Sequence, residues 1–230
     1  MSGSERFRHT PYVCGFLGPD DRGHWAALQA AAPVPVKVRS VGRHHAFAAS
    51  KATGLERIQG QQAWVWGRHL VTDRAPTTWK EAAHELNLAG FWAGADEVRL
   101  HTNPLAHADL YVRELDGTTY FANRIEPLTR LGDALLHTDW VGWGEHLALG
   151  GMVHERTPFE EVRRLDFAES RVLRGGRQVR TRDTAPWMHV DDTTGTAADV
   201  VEAGLAQMPE PGSQTPSAIG LSGGWRGGPR

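Results

Sequence analysis

The stretch Ala108-Asp-Leu-Tyr-Val-Arg-Glu-Leu-Asp-Gly-Thr-Thr-Tyr-Phe-Ala-Asn-Arg-Ile125 decides the fold class. Ala108 to Leu115, with Leu110, Tyr111, Val112 and Leu115, reads as one strand, and Thr118 to Ile125, with Tyr120, Phe121 and Ile125, as its return. Asp116-Gly117 between them is a two-residue hairpin signal. Just upstream, Glu97 to Thr102 alternates, with Val98, Leu100 and Thr102 on one face. Three antiparallel strands are therefore expected here.

Working outward, Tyr12–Leu17, His45–Ala49 and Ala63–Val71 read as further strands, and Gly175-Gly176 as the turn of a second hairpin between Arg171 and Val179. Helices are expected over His24–Ala32, ended by Pro33 and Pro35, and over Thr78–Leu86, with Thr77 or Thr78 as cap. Asp139 caps a third helix, ended at Gly150-Gly151. Trp140, Trp143, Gly144, Leu147 and Ala148 follow its i, i+3, i+4, i+7, i+8 stripe, which we read as core-facing. This arrangement predicts an α+β domain over residues 11–187. Residues 188–230 read as the opening of an α/β unit. They comprise a connector, an amphipathic helix over Thr196–Met208, the linker 209–216, and a buried strand Ser217–Leu221 running into Ser222-Gly223-Gly224.

Composition narrows the function classes. The 230 residues carry 25 Lys and Arg against 27 Asp and Glu, a net charge of −2, so nothing points to nucleic acid. A single cysteine excludes an internal disulfide framework and a cysteine-cluster zinc site. No apolar run is long enough to span a membrane, and the polar start lacks a signal-peptide core. The expectation is a cytoplasmic protein. His44, His45, His101 and His107 match no compact metal-ligand spacing, so no metal site is expected. No G-x-S-x-G elbow supports a serine triad. Glu160-Glu161 beside Arg163-Arg164 reads as a solvated run.

The most chemical motif is Leu221-Ser222-Gly223-Gly224. Glycines after an apolar strand let backbone N–H groups converge on an anion. The segment resembles the pyrophosphate loop of ATP pyrophosphatases, Ser-Gly-Gly-x-Asp-Ser, but Arg226 and Gly227 stand where Asp and Ser would be. Other segments extend the resemblance in collinear order. Cys14-Gly15-Phe16-Leu17-Gly18 is similar to the opening Cys-Gly-Ile-x-Gly of the asparagine synthetase family. Gly67-Arg68-His69-Leu70 is similar to its Arg-Leu strand behind the glutamine pocket. Asn103-Pro104-Leu105-Ala106 with Leu110-Tyr111, Phe121–Leu128, Glu145–Gly150 and Arg156–Leu165 match later stretches.

The chain thus resembles the N-terminal portion of that family, which includes the macrolactam cyclases of lasso-peptide biosynthesis. The resemblance implies a type 2 glutamine amidotransferase-like domain of N-terminal-nucleophile fold, two stacked antiparallel sheets between helical layers. The truncated start of an ATP-using synthetase domain would follow. In intact relatives ATP, with Mg, activates a carboxylate as an acyl-adenylate, and an amine attacks it to form the amide of asparagine or of a macrolactam. Carried over by position, Cys14 is the family's nucleophile, Arg68 a glutamine-pocket residue, and Leu221, Ser222, Gly223 and Gly224 the ATP loop.

Two departures bear on activity. A working nucleophile uses its own free α-amine as base, whereas Cys14 follows thirteen residues. No Asn precedes a Gly, so the family's oxyanion segment, Asn-Gly-Glu, is missing; such donors are worth roughly 10²–10³ in rate. We therefore expect Cys14 to be a buried small apolar residue and the chain to be catalytically incomplete. Two alternatives stand beside this reading. One is a non-catalytic scaffold binding a peptide, a separate synthetase chain or another copy of itself. The other is a glutaminase subunit released by removal of residues 1–13.

Overall fold

The computed structural model describes residues 11–67, 76–84, 88–102, 109–133, 135–150, 152 and 155–182. The chain falls into two units, Met1–Val190 and Asp191–Arg230, the second wholly outside the described residues. The helix expected at Thr196–Met208 and the strand at Ser217–Leu221 fall there.

Among the described residues twelve strands build two six-stranded sheets, with every pairing antiparallel. The first sheet contains β1 (Val13–Leu17), β2 (Val36–Gly42), β3 (His45–Ser50), β8 (Tyr111–Leu115), β9 (Thr118–Ala122) and β10 (Val162–Arg164), in the order β10-β8-β9-β1-β3-β2. The second contains β4 (Glu56–Arg57), β5 (Ala63–Gly67), β6 (Leu88–Ala93), β7 (Glu97–His101), β11 (Glu169–Arg174) and β12 (Arg177–Arg182), in the order β12-β11-β7-β6-β5-β4. From Val13 to Arg182 the chain lays three strands of the first sheet, four of the second, three more of the first, and then the β11–β12 hairpin of the second. Both expected two-residue turns are present: Asp116-Gly117 and Gly175-Gly176 all have positive φ, which matches the twist of the flanking strands.

The inner faces meet in an aromatic core. Phe47 of β3 stacks on Phe91 of β6 at 4.8 Å and on Trp66 of β5 at 5.5 Å, with Phe121 of β9 behind it at 6.4 Å. Such pairs add about 0.5–1.5 kcal/mol each beyond the area they bury. Gly15 of β1 faces this stack, and the Phe121 ring fills the space a side chain would take. Gln178 of β12 ties the sheets together, its amide donating to the Leu17 and Gly117 carbonyls, both at 2.9 Å.

Short helices cover the outer faces. Against the first sheet lie α1 (His24–Ala30) and α3 (Ile125–Thr129), whose Leu28 and Leu128 join Tyr12, Cys14, Phe16 and Tyr120 in one apolar cluster. Against the second lies α2 (Trp79–His84), whose Ala82 joins Ile58, Val65 and Leu88, with Trp79 and Trp92 packed beside them. The layering is helix, sheet, sheet, helix, a mixed α+β architecture that is mostly sheet. Among the described residues no helix is long and apolar enough to cross a membrane.

The fourth helix, α4 (Trp140–Leu149), corrects an expectation. Its supposed core stripe faces solvent: Trp140 is 78% and Leu147 81% exposed. The buried helix residue is Gly142, on the opposite side, where a Cβ would stand 3.0 Å from the Thr157 carbonyl oxygen and 3.3 Å from the Asp139 carboxyl carbon. Bare backbone, not the apolar stripe, seats the helix. In the charged run, Glu160 and Arg163 are exposed and Glu161 and Arg164 half-buried, while Val162 between the two pairs is buried in β10.

Candidate functional site

Cys14 is the second residue of β1, paired with Ala48 of β3 on one side and Ala122 of β9 on the other. Alternation along β1 turns Val13 and Leu17 into the inter-sheet core, and Tyr12, Cys14 and Phe16 into the layer under α1 and α3. The thiol is fully buried. Burial pushes it up to about 12, against a smaller opposing effect from the Tyr12 hydroxyl. The Tyr12 phenol is itself pushed far up, first by burial and then by the thiol. At that value the thiolate, the form that attacks carbonyls, is a trace species at neutral pH.

The chain leading into β1 is clamped. The Tyr12 amide donates to Ser50 Oγ at 3.0 Å and to Thr53 Oγ1 at 3.1 Å, and the Tyr12 carbonyl accepts from the Ser50 amide at 2.8 Å. Asn123 holds the other side. Its Oδ1 accepts from the Val13 amide at 3.0 Å, its Nδ2 donates to the Pro11 carbonyl at 3.2 Å, and its own amide donates to the Val13 carbonyl at 3.2 Å. Ser50, Thr53 and Asn123 were not singled out from the sequence as site residues. Asn123 carried a weak signal, a polar side chain ending an otherwise apolar strand next to the position of Cys14.

Of the other residues carried over by position, Arg68 lies outside the described residues, as do Leu221, Ser222, Gly223 and Gly224. The structure therefore gives no geometry between Cys14 and either group. No cluster of three metal-ligating side chains occurs among the described residues. His101 is buried, with Nε2 donating to the Ala83 carbonyl at 3.1 Å and Nδ1 2.8 Å from Ser170 Oγ. The carbonyl can only accept, so Nε2 donates to it, and Nδ1 shares a hydrogen bond with the Ser170 hydroxyl. Ring and hydroxyl are both shielded from solvent beside α2, so this pair joins α2, β7 and β11 and is closed to a substrate.

One concavity, of about 580 Å³, lies at the end of α1 beside Gln29, Pro33 and Val36 and carries no titratable side chain; a second, of about 330 Å³, is a groove between α4 and the first sheet. Tyr111, Ile125, Trp143, His146, Arg156 and Arg164 contribute to its walls. Its geometry rests on Asp139, the α4 cap, which accepts from the Gly142 amide at 2.9 Å and from Arg156 at 2.8 Å. The Gly142 amide and the Arg156 guanidinium hold the Asp139 carboxyl below its ordinary range. Arg156 also reaches Glu145 at 3.4 Å, so its charge is engaged within the groove wall.

No protein-family model matches the chain, and no curated protein matches it.

Proposed function

We propose that this chain carries a degenerate glutamine amidotransferase-like domain, of the kind that precedes the synthetase domain in the asparagine synthetase and lasso-cyclase family. In this reading it does not hydrolyse glutamine. It serves as a binding partner for an ATP-using synthetase that joins a carboxylate to an amine. The layering of helix, sheet, sheet and helix supports an N-terminal-nucleophile type of fold. The collinear order of the matching segments supports the family.

The observation that carries the non-catalytic reading is the setting of Cys14. Glutamine hydrolysis by such a domain needs an ionisable thiol, a free amine beside it and an open path for the amide. Here the thiol is sealed and pushed up to about 12. Its amide lies within a strand paired on both sides.

Removal of residues 1–13 would create the amine but delete Tyr12 and Val13, both fully buried. It would also strand the hydrogen bonds from Ser50, Thr53 and Asn123. Losing one such buried side chain costs about 1.5–3 kcal/mol, and each orphaned buried polar group about 1–3 kcal/mol. The processed glutaminase is therefore the weaker reading. ATP use belongs to the proposal through Leu221, Ser222, Gly223 and Gly224 alone, and no step is assigned to them.

The test is glutamate release from glutamine by the purified 230-residue chain, with Cys14→Ala alongside. The two proteins are expected to be indistinguishable. Release that disappears in Cys14→Ala would overturn the reading.

A further inference from the structure

The described surface has one feature that neither the core nor Cys14 explains, the outward face of α4. Half of its ten exposed large apolar side chains fall within the ten residues of this helix: Trp140, Val141, Trp143, Leu147 and Leu149. At 100° per residue, Leu147, Trp140, Gly144, Ala148 and Val141 occupy one continuous arc opposite the buried Gly142, with Trp143 at its edge where the helix turns into the groove. Glu145 and His146 stand outside that arc, so no charge lies on it. A solvent-facing helix surface ordinarily carries the polar residues. This one is inverted.

We propose that this face of α4 is the contact through which two copies of the chain associate. Three properties select a second copy as the occupant. The first is area. Trp140, Val141, Trp143 and Leu147 are 78%, 58%, 38% and 81% exposed. With aromatic side chains burying roughly 150–250 Å² each, the arc offers on the order of 500 Å² of apolar surface. A standard interface takes about 800 Å² from each partner, and homodimer interfaces are about 65% apolar. The requirement is thus on the order of 500 Å² of apolar surface.

The second property is self-complementarity. Trp140, Gly144 and Ala148 form an i, i+4, i+8 row, with Trp143 and Leu147 in the row beside it. Nothing lies within 4 Å of the position a Gly144 Cβ would take. Two such helices crossing antiparallel about a two-fold axis at Gly144 set each Trp140 over the Leu147–Ala148 end of its mate. The backbones can approach closely where there is no side chain. Residue i then meets j and j meets i, as a closed two-fold interface demands. The third is the lack of charge, which gives an acidic or basic partner nothing to pair with.

The test is the mass of the full chain by analytical ultracentrifugation between about 1 and 200 μM. Wild type is expected to move from 25.3 kDa toward twice that value. Trp140→Asp combined with Leu147→Asp should weaken the dimer on the order of 100-fold or more, since truncating central aromatic anchors commonly costs that much. These side chains are exposed, so the folded monomer should survive, which circular dichroism will report. Gly144→Cys should form an intermolecular disulfide under mild oxidation, because the native Cys14 is buried, whereas Val41→Cys, on the exposed edge strand β2, should not. The proposal is overturned by a wild type that stays monomeric throughout. That result would mean a solvated face if acrylamide quenches Trp140, or cover by another part of the chain if it does not. A dimer that survives the double Asp substitution overturns it equally.

Discussion

Replacing Gly15 with Ala puts a methyl where the structure has no room. Its Cβ would stand 2.2 Å from the Ala46 carbonyl oxygen and 2.4 Å from the tip of the Phe121 ring. Ordinary contact is about 3.5–4.0 Å between carbon atoms, so the overlap exceeds an ångström on both sides. Neither neighbour can yield easily. Ala46 is fixed in the β1–β3 pairing opposite Phe16, and Phe121 is stacked behind Phe47 and Phe91. Overpacking typically costs 1–3 kcal/mol and occasionally more, and a rigid carbonyl facing the new methyl places this case at about 3 kcal/mol. Urea unfolding followed by tryptophan fluorescence reads it directly. With a slope of about 2 kcal/mol/M the midpoint should fall by roughly 1.5 M. Gly144→Ala, on the open face of α4, should move the opposite way by about 0.5–1 kcal/mol, measured at 1 μM to keep the chain monomeric. A Gly15→Ala protein within about 0.5 kcal/mol of wild type would refute the packing of β1, and with it the reason Gly follows Cys14.

Arg113 is fully buried and donates to the Leu128 and Leu131 carbonyls at the end of α3; Arg113→Met should cost about 3 kcal/mol by orphaning both, with Arg113→Lys recovering part, as read by thermal unfolding. Asp139→Ala should cost about 1 kcal/mol through loss of the α4 cap and widen the groove beside Trp143, visible as a shift in tryptophan emission. The Asp139 carboxyl is depressed in the folded chain, so its contribution is present above the unfolded value of about 3.9 and is lost as pH falls through the lower folded value. Wild type should therefore lose stability in that acid window more steeply than Asp139→Ala. His137 shifts in the other direction, raised by its hydrogen bond to Glu161. That pairing should hold below the ordinary histidine value and fade as pH rises through the raised one, as a histidine NMR titration will show.

Alternation with a matching turn was legible. The two hairpins, β1, β3, β7 and the cap at Asp139 follow from local signals that the fold left unopposed. Other elements were hidden for identifiable reasons. β6, Leu-Ala-Gly-Phe-Trp-Ala, is buried along almost its whole length and so has no period to read; its Gly90 yields space to Trp79 of α2. β2 is an edge strand with a register shift between Val38 and Ser40, which breaks its alternation. α3 is five residues long, with Pro127 inside it. α4 was found but turned the wrong way. Periodicity identifies an apolar face and cannot say whether that face meets this chain's core or another surface. At the site, the reading placed Cys14 correctly on a strand, but its sealing depends on Leu28, Tyr120 and Leu128, and the clamp on the chain before it on Ser50, Thr53 and Asn123, all brought from distant positions by the fold.

Cys14, read as a sealed core residue and not a nucleophile, can be probed on its own. The most direct measurement is alkylation of the native 230-residue chain with iodoacetamide at pH 8, followed by intact mass. A thiol at about 12 is ionised in roughly one molecule in 10,000 at that pH, against about a quarter for an ordinary cysteine, and burial closes the approach as well. Labelling should therefore be undetectable on the timescale on which free cysteine reacts completely, and should become fast only in denaturing urea. Stoichiometric labelling of the native chain within minutes would contradict the account and return Cys14 to the position of a working nucleophile.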